Sequence, residues 1–395
     1  MDEQKKTSLM ERLDYIKNSL KIKHFLSYVI VILALAISTG MYFSGSLNRS
    51  TTTLLLQIGY SVILAVSLNL VVGFLGELSL GHAGFLCIGA YLGTFISNYL
   101  ITIIPSLPVC LIISMVISGA VAGLFGLVVG LPALRLRGDY LAIVTLAFGE
   151  IVRNVCRNLP FFGGAQGLES KFYTALLREG KKGIPLFIYA FVVILIMIAV
   201  IQNLIRSKHG RAITAIRDNE IAAKAMGINV TYYKLLAFVV SAIFAGVAGV
   251  IYGASLSPVS YSAFSYNYSI EILVMVVLGG MGSINGSIIA ATLITYINFA
   301  LKAEFSGEMS AVKNIVYALI LVVMVVYNNA PALKTIREKL NIKTLINKIK
   351  RSQHSYADDE GKWDRVPTKI DMNEVLSTDI VVNESIKNPD KEDKN

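Results

Sequence analysis

Residues 54–75 read LLLQIGYSVILAVSLNLVVGFL, without one charged side chain. A helix of that length, rising 1.5 Å per residue, is about 33 Å long and covers a hydrocarbon core about 30 Å thick. Working outward, the same test is met at 26–43, 79–100, 108–131, 185–205, 233–256 and 311–328. Weaker candidates, interrupted by glycine, lie at 140–157, 268–282 and 284–302. The 395 residues are 54% hydrophobic and 16% charged, against about 25% charged in soluble domains. A membrane barrel would instead show alternating strands of about ten residues. The reading is an all-α polytopic membrane protein with about ten transmembrane helices, some of them broken by glycine.

The net charge of +10 raises nucleic acid as a partner, but its distribution points to a lipid bilayer. Lys5, Lys6, Arg12, Lys17, Lys21 and Lys23 precede the first span. Arg135 and Arg137 follow the fourth, Arg206, Lys208 and Arg211 the sixth, and the run Lys334 to Arg351 the last. The loops at 44–53 and 257–269 hold between them only Arg49. Basic residues concentrate in cytoplasmic loops, so both termini are expected inside, which requires an even number of spans. The segment 158–184 then falls outside despite Lys171, Arg178, Lys181 and Lys182. The first span lacks a small-residue cleavage site and reads as a retained anchor. Cys87, Cys110 and Cys156 are far apart and form no metal or disulfide pattern, so they read as buried filler.

Four regions follow. Residues 1–25 carry Leu9, Leu13, Ile16 and Leu20 at helical spacing among Lys and Arg, an amphipathic cytoplasmic segment with its helix over 8–23. Residues 26–330 hold the membrane spans. Residues 331–351 form a second basic amphipathic segment, and 352–395, with few apolar residues and the single Trp363, read as a disordered cytoplasmic tail.

Two glycine-rich stretches interrupt apolar runs in opposite halves: GFLGELSLGHAGFLCIGAYLG (73–93) and LGGMGSINGSIIAA (278–291). Such glycines either break helices that line a path or let helix backbones pack closely. The first reading makes Gly76, Glu77, His82, Gly84, Gly279, Gly280 and Gly282 candidates for a translocation path in an internally duplicated transporter. Glu77 and His82 are either ionisable groups at membrane depth, functional by default, or solvated members of a turn. Glu150 and Arg153 stand three apart on one helical face and read as a structural ion pair, with a substrate contact as the alternative. Glu271 is expected at the outer interface of its span.

The chain has no GxxxxGK[ST] phosphate loop, HExxH, GxSxG or CxxC. Its histidines, His24, His82, His209 and His354, share no ligand spacing, so no metal site is expected. Nothing here hydrolyses ATP or supplies a nucleophile, and an enzyme is the least supported class. Active transport would draw its energy from an ion gradient or from another subunit.

GRAITAIRDNEIAAKAMG (210–227) therefore stands out as a charged helix between two spans, within a cytoplasmic loop at 206–232. Asp218 or Asn219 can cap the turn that follows, and Glu220 adds negative charge at the positive end of the dipole. Gly227 sits where a left-handed residue ends a helix, with Ile228 able to make the accompanying apolar contact. The segment reads as a short rigid rod able to receive a push from a cytoplasmic partner, or as a plain connector.

Three long stretches, RLRGDYLAIVTLAFGEIVR (135–153), GRAITAIRDNEIAAKAMGINVTYYKLLAFVVSAIFAGVAG (210–249) and VVLGGMGSINGSIIAA (276–291), resemble one family. It is the permease subunit of the branched-chain amino acid ABC importers, of the type carrying the LRGDYLAIVTL block, and the likeness spans about 54–330. The resemblance implies a cytoplasmic EAA-type loop that docks on an ATPase. Glu220, Ala222, Ala223 and Gly227 match it, and Arg217 and Asp218 join the expected coupling set. It further implies a second homologous permease, two cytoplasmic ATPase subunits that hold the ATP and Mg, an extracytoplasmic binding protein and a bacterial-type plasma membrane. No cofactor is expected on this chain. The segment 158–184 is short for such a subunit, and the tail at 352–395 is not part of the pattern. Close relatives carry urea or short amides, which gives the alternative substrate class. A gradient-driven carrier is the alternative mechanism, against which stands the lack of paired carboxylates at midplane.

Overall fold

The computed structural model describes residues 22–45, 48–104, 106–134, 136, 138–179, 185–304, 319 and 322. The span at 311–328, apart from those two residues, the basic segment 331–351, the tail 352–395 and nearly all of the amphipathic helix at 8–23 lie outside them. The described residues form helices α1 (Ile22–Phe43), α2 (Arg49–Asn69), α3 (His82–Leu100), α4 (Leu107–Ala133), α5 (Asp139–Asn158), α6 (Lys171–Glu179), α7 (Leu186–Arg206), α8 (Lys208–Asp218), α9 (Glu220–Ala225), α10 (Val230–Ser255), α11 (Tyr266–Gly279) and α12 (Ile284–Glu304). No sheet occurs among the described residues; the one β-type pairing is an antiparallel bridge between Leu168 and Val259.

Among the described residues six segments are long and apolar enough to cross a membrane: Arg49–Leu75, His82–Leu100, Leu107–Ala133, Leu186–Arg206, Val230–Ser255 and Ile284–Lys302. Two shorter apolar helices accompany them, Ser27–Phe43 and Tyr266–Gly279. The helix expected at 140–157 is present as α5, but Asp139, Glu150, Arg153 and Arg157 leave it amphipathic.

Three helices, α8, α9 and α10, begin on a side chain that accepts from their first amide groups. Ser207 accepts from the amides of His209 and Gly210, and Asn229 from that of Tyr232. α4 starts on Pro108, which lacks the amide that would go unpaired there.

α10 lies at the centre, packed against α2, α3 and α4. Lipid gives apolar faces no reason to leave it, so helices in a membrane associate through close fit, and small residues permit the closest approach. A Cβ on Gly89 of α3 would fall on the backbone of Gly246 in α10, and one on Gly249 would fall on the Leu86 carbonyl. On the opposite side α4 turns Gly119, Gly123 and Gly126 toward Ile243, Val247 and Ala242 of α10. Its other face, with Val109, Ile112, Val116, Leu124 and Val128, is exposed apolar surface suited to lipid. Gly84 belongs to the same class of contact, against Gly149 of α5. Of the two explanations for the glycines in 73–93, close packing therefore holds from Gly84 onward.

Candidate functional site at the glycine break

α2 does not end as an α-helix. It continues through a π-helical turn, Leu70–Leu75, and stops at Gly76, whose φ of +82° an L side chain rarely adopts. The chain then runs without helix to Gly81, and α3 begins at His82. In the second half, the helix expected over 268–282 stops at Gly279. Gly280 and Gly282, both at positive φ, turn the chain into α12. Gly279 itself packs against Gly286.

The two breaks meet at Asn69, a fully buried side chain near the end of α2. Its Nδ2 donates to the Ser283 carbonyl at 3.1 Å and the Ser287 hydroxyl at 2.8 Å, and its Oδ1 accepts from the Gly282 amide at 2.9 Å. A Cβ on Gly73 would collide with both the Asn69 amide and the Gly282 nitrogen. The seam thus depends on one satisfied amide and one absent side chain.

Arg217, at the end of α8, lies over this seam. Its Nη1 donates to the Gly73 carbonyl at 3.2 Å, and its Cγ occupies the space a Cβ on Gly76 would need. Its Nε and Nη2 also donate to the Asp218 carboxylate, at 3.2 and 3.0 Å.

A second anchor is ionic. Lys234, at the start of α10, has only 4% of its side chain exposed and pairs with Glu77 in the loop after Gly76. The same ammonium donates to Glu220 Oε2 at 3.1 Å, and Glu220 Oε1 accepts from Lys224 at 2.8 Å. Four alternating charges thus connect α9, α10 and the first break. A buried ammonium is tolerated only when paired and hydrogen-bonded, and Lys234 has two carboxylates. The hydrogen bond from Lys224 holds the Glu220 carboxyl below its ordinary value; burial opposes this and Lys234 assists it.

The single rod expected over 210–227 is two helices. Asn219 is extended between α8 and α9 and caps the second through the Ala222 amide at 3.0 Å, while Asp218 is engaged by Arg217. A break costs one turn of helix and allows Arg217 and Glu220 to reach different targets. α9 ends with Gly227 at φ +79°; the Gly227 amide reaches the Lys224 carbonyl and the Ile228 amide the Ala223 carbonyl. That paired pattern is the Schellman close, which Gly permits at the left-handed position. Ala223 is buried and Ala222 exposed. Ile221 and Met226 leave 76% and 82% of their surface open on the same short helix.

The structure brings together Arg217, Glu220, Gly76, Glu77 and Gly282 from the two expected groups, and leaves others apart. His82 is buried, its Nε2 2.9 Å from the Ser67 hydroxyl, so it is not in a solvated turn. Glu77 is likewise mostly buried in its ion pair. Glu150 and Arg153 form an ion pair at 2.7 Å, and Glu150 also accepts from the Tyr266 amide at the start of α11. Sequence reasoning passed over Asn69 and Lys234. Both were detectable as polar groups inside apolar windows, which is where functional groups concentrate in membrane proteins. A cavity of about 300 Å³ adjoins the second break, lined by Ser27, Gln202, Arg206, Ser283 and Asn285 among others. Among the described residues no group of three His, Cys, Asp or Glu could hold a metal ion, and the three cysteines are free and buried.

Comparison with known proteins identifies the family. Residues 50–326 match the family model described as branched-chain amino acid transport system / permease component. The high-affinity branched-chain amino acid transport system permease protein LivM of Salmonella typhimurium is 32% identical over 80% of this chain and 77% of its own. The probable branched-chain amino acid transport permease proteins LivM and LivH of Methanocaldococcus jannaschii are 26% and 27% identical. They cover 62% and 66% of this chain and 78% and 84% of their own. No solved structure matches. A break held by a buried amide, beneath a pair of short helices and within so apolar a bundle, sits inside the matched region; this multi-pass membrane protein belongs to the family of branched-chain amino acid transport permease components.

Proposed function

We propose that the chain is the membrane-spanning permease subunit of an ATP-driven importer, passing branched-chain amino acids from an extracytoplasmic binding protein to the cytoplasm by alternating access. The observation that carries this reading is the double anchorage of α8 and α9 on the first glycine break. Arg217 holds the Gly73 carbonyl, and Glu220 reaches Glu77 through Lys234. A partner that moves these helices moves the break, and Asn69 passes the displacement to the second break. The exposed Ile221 and Met226 offer an apolar foothold for the partner. Two ATPase subunits, which bind the ATP and Mg, a second homologous permease and the binding protein complete the assembly.

In this reading α8 and α9 are cytoplasmic, as the Arg206, Lys208 and Arg211 cluster favours. Ten spans follow, the last at 311–328, with both termini inside a bacterial-type plasma membrane. Gly76, Glu77, Gly280 and Gly282 form part of the path wall, and the paired breaks reflect an internal duplication. The test is reconstitution of the assembly in proteoliposomes. Glu220→Gln and Gly227→Ala should lower ATP-dependent leucine uptake per ATP hydrolysed while the complex stays assembled. Unchanged coupling would remove the role assigned to α9. Leucine and urea uptake measured side by side separate the two substrate classes.

A further inference from the structure

Away from the breaks, the same three helices enclose a second polar site. α2 contributes Gln57 and Tyr60, α11 contributes Tyr268 and Glu271, and α12 contributes Thr295, Asn298 and Lys302 to a cavity of about 230 Å³. Tyr60 lies about 20 Å along α2 from Gly73, at 1.5 Å per residue, so the cavity is toward the end of the bundle opposite α8 and α9. A carboxylate and an ammonium in otherwise apolar helices are costly to maintain and mark functional sites in membrane proteins. Glu271 accepts from Asn298 at 3.1 Å, which fixes its orientation. Thr295 is 93% buried by its 7% exposure, and its hydroxyl has no hydrogen-bond partner among the described residues. Buried hydroxyls are nearly always hydrogen-bonded, so this one is arranged for a group that enters the cavity. Tyr60 packs edge-on against Tyr252, ring centres 5.4 Å apart, and Phe299 adds an apolar wall. At about 30 Å³ per water-sized group, the volume suits a ligand of roughly eight non-hydrogen atoms.

We infer that this cavity binds the zwitterionic head of a free amino acid, Glu271 receiving its ammonium and Lys302 its carboxylate. A carboxylate and an ammonium on the wall of one small cavity match a ligand that carries both charges on one carbon. A sugar or an amide such as urea offers neither. Thr295 adds a hydrogen bond to the head group, and Tyr60 and Phe299 meet the side chain. Because α2, α11 and α12 also carry Asn69, Gly279 and Ser287 at the breaks, displacement there reshapes the cavity. The inference rests on the amino-acid importer reading above.

The experiment uses the assembled importer, with both permeases and both ATPases. Wild-type complex with its binding protein in proteoliposomes takes up L-leucine; absence of uptake would overturn the importer reading and the ligand assigned here with it. Given wild-type uptake, Glu271→Gln in an assembled complex should lower it by about tenfold or more, the loss of one charge-assisted hydrogen bond. Uptake equal to wild type would overturn the cavity assignment alone. A second measurement keeps Glu271 native and so does not depend on that variant assembling. Gln57→Cys is introduced, the native Cys87, Cys110 and Cys156 being buried, and its modification by a methanethiosulfonate is timed in nanodiscs without binding protein. Millimolar L-leucine should slow the reaction several-fold, and 2-hydroxy-4-methylpentanoate, which lacks the ammonium, should not. No protection by leucine, or equal protection by the hydroxy acid, would overturn the inference.

Discussion

The seam at the glycine breaks and the cavity at Glu271 are built from the same three helices, yet they treat polar groups in opposite ways. At the seam every named polar side chain is engaged: Asn69 makes three hydrogen bonds, Arg217 reaches Gly73 and Asp218, and Lys234 holds two carboxylates. At the cavity a buried hydroxyl, that of Thr295, has no partner among the described residues. A satisfied network transmits displacement, because its members move together or lose their bonds. An unsatisfied pocket is complete only with something in it. Substitutions at the seam should therefore destabilise the resting protein, whereas substitutions at the cavity should leave it stable and alter what it binds.

The largest effect is expected at Lys234. Lys234→Met leaves Glu77 and Glu220 facing each other without their shared cation. Removing one partner of a buried pair costs about 3–5 kcal/mol, and Glu220, a quarter exposed, brings this toward the lower end. The thermal unfolding midpoint of the purified complex should fall, and Lys234→Arg should restore most of it. A midpoint unchanged in Lys234→Met would show that the four-charge connection bears no load.

Asn69→Ala comes next. It leaves the Gly282 amide without its acceptor, while the Ser283 carbonyl and the Ser287 hydroxyl keep their bond to each other, at a cost of about 1–3 kcal/mol. Because Asn69 joins the breaks, ATP-driven uptake should fall by more than stability does. Equal losses in both would reduce Asn69 to a packing residue. Gly227→Ala is expected to cost about 1 kcal/mol, the penalty of a Cβ at a left-handed position; nothing lies within 4 Å of the site, so crowding does not contribute. Its coupling defect, measured as leucine moved per ATP, should exceed that modest loss.

These expectations also mark what local sequence could convey. The helices follow from hydropathy, since α2, α4, α7 and α10 each form one long apolar run. Gly227 was readable because a glycine just past a helical run is the residue best able to take the left-handed conformation that ends it. Lys234 was averaged away within the window 233–256, where one charge barely lowers the mean. The division of 210–227 into two helices depended on Arg217 being drawn to Gly73, 144 residues earlier in the chain. Asn69 and Ser287 are 218 residues apart, and no periodicity links them. Contacts of that separation are tertiary, so the seam became visible only when the two halves were placed together.

Acid provides a milder probe of the seam. The Glu220 carboxyl is held below its ordinary value, first by the bond from Lys224, so the native state favours its ionised form more than the unfolded chain does. Its contribution is fully present above the ordinary glutamate value of about 4.3 and is lost as pH falls through the lower folded value. The stability difference between wild type and Glu220→Gln should therefore shrink as pH drops below about 4.3. A gap independent of pH would mean that Glu220 acts through shape alone.

The smallest effect should be at Thr295, and its sign makes the comparison sharp. Thr295→Val has nearly the same shape and deletes a hydroxyl that bonds to nothing among the described residues. No hydrogen bond is lost, and the desolvation cost of the bare hydroxyl is removed, so stability should stay level or rise slightly. If the hydroxyl serves the ligand, leucine should bind more weakly to the same variant. A marked fall in the unfolding midpoint would instead show that Thr295 has a structural partner, and that both ends of α12 are held in the same way.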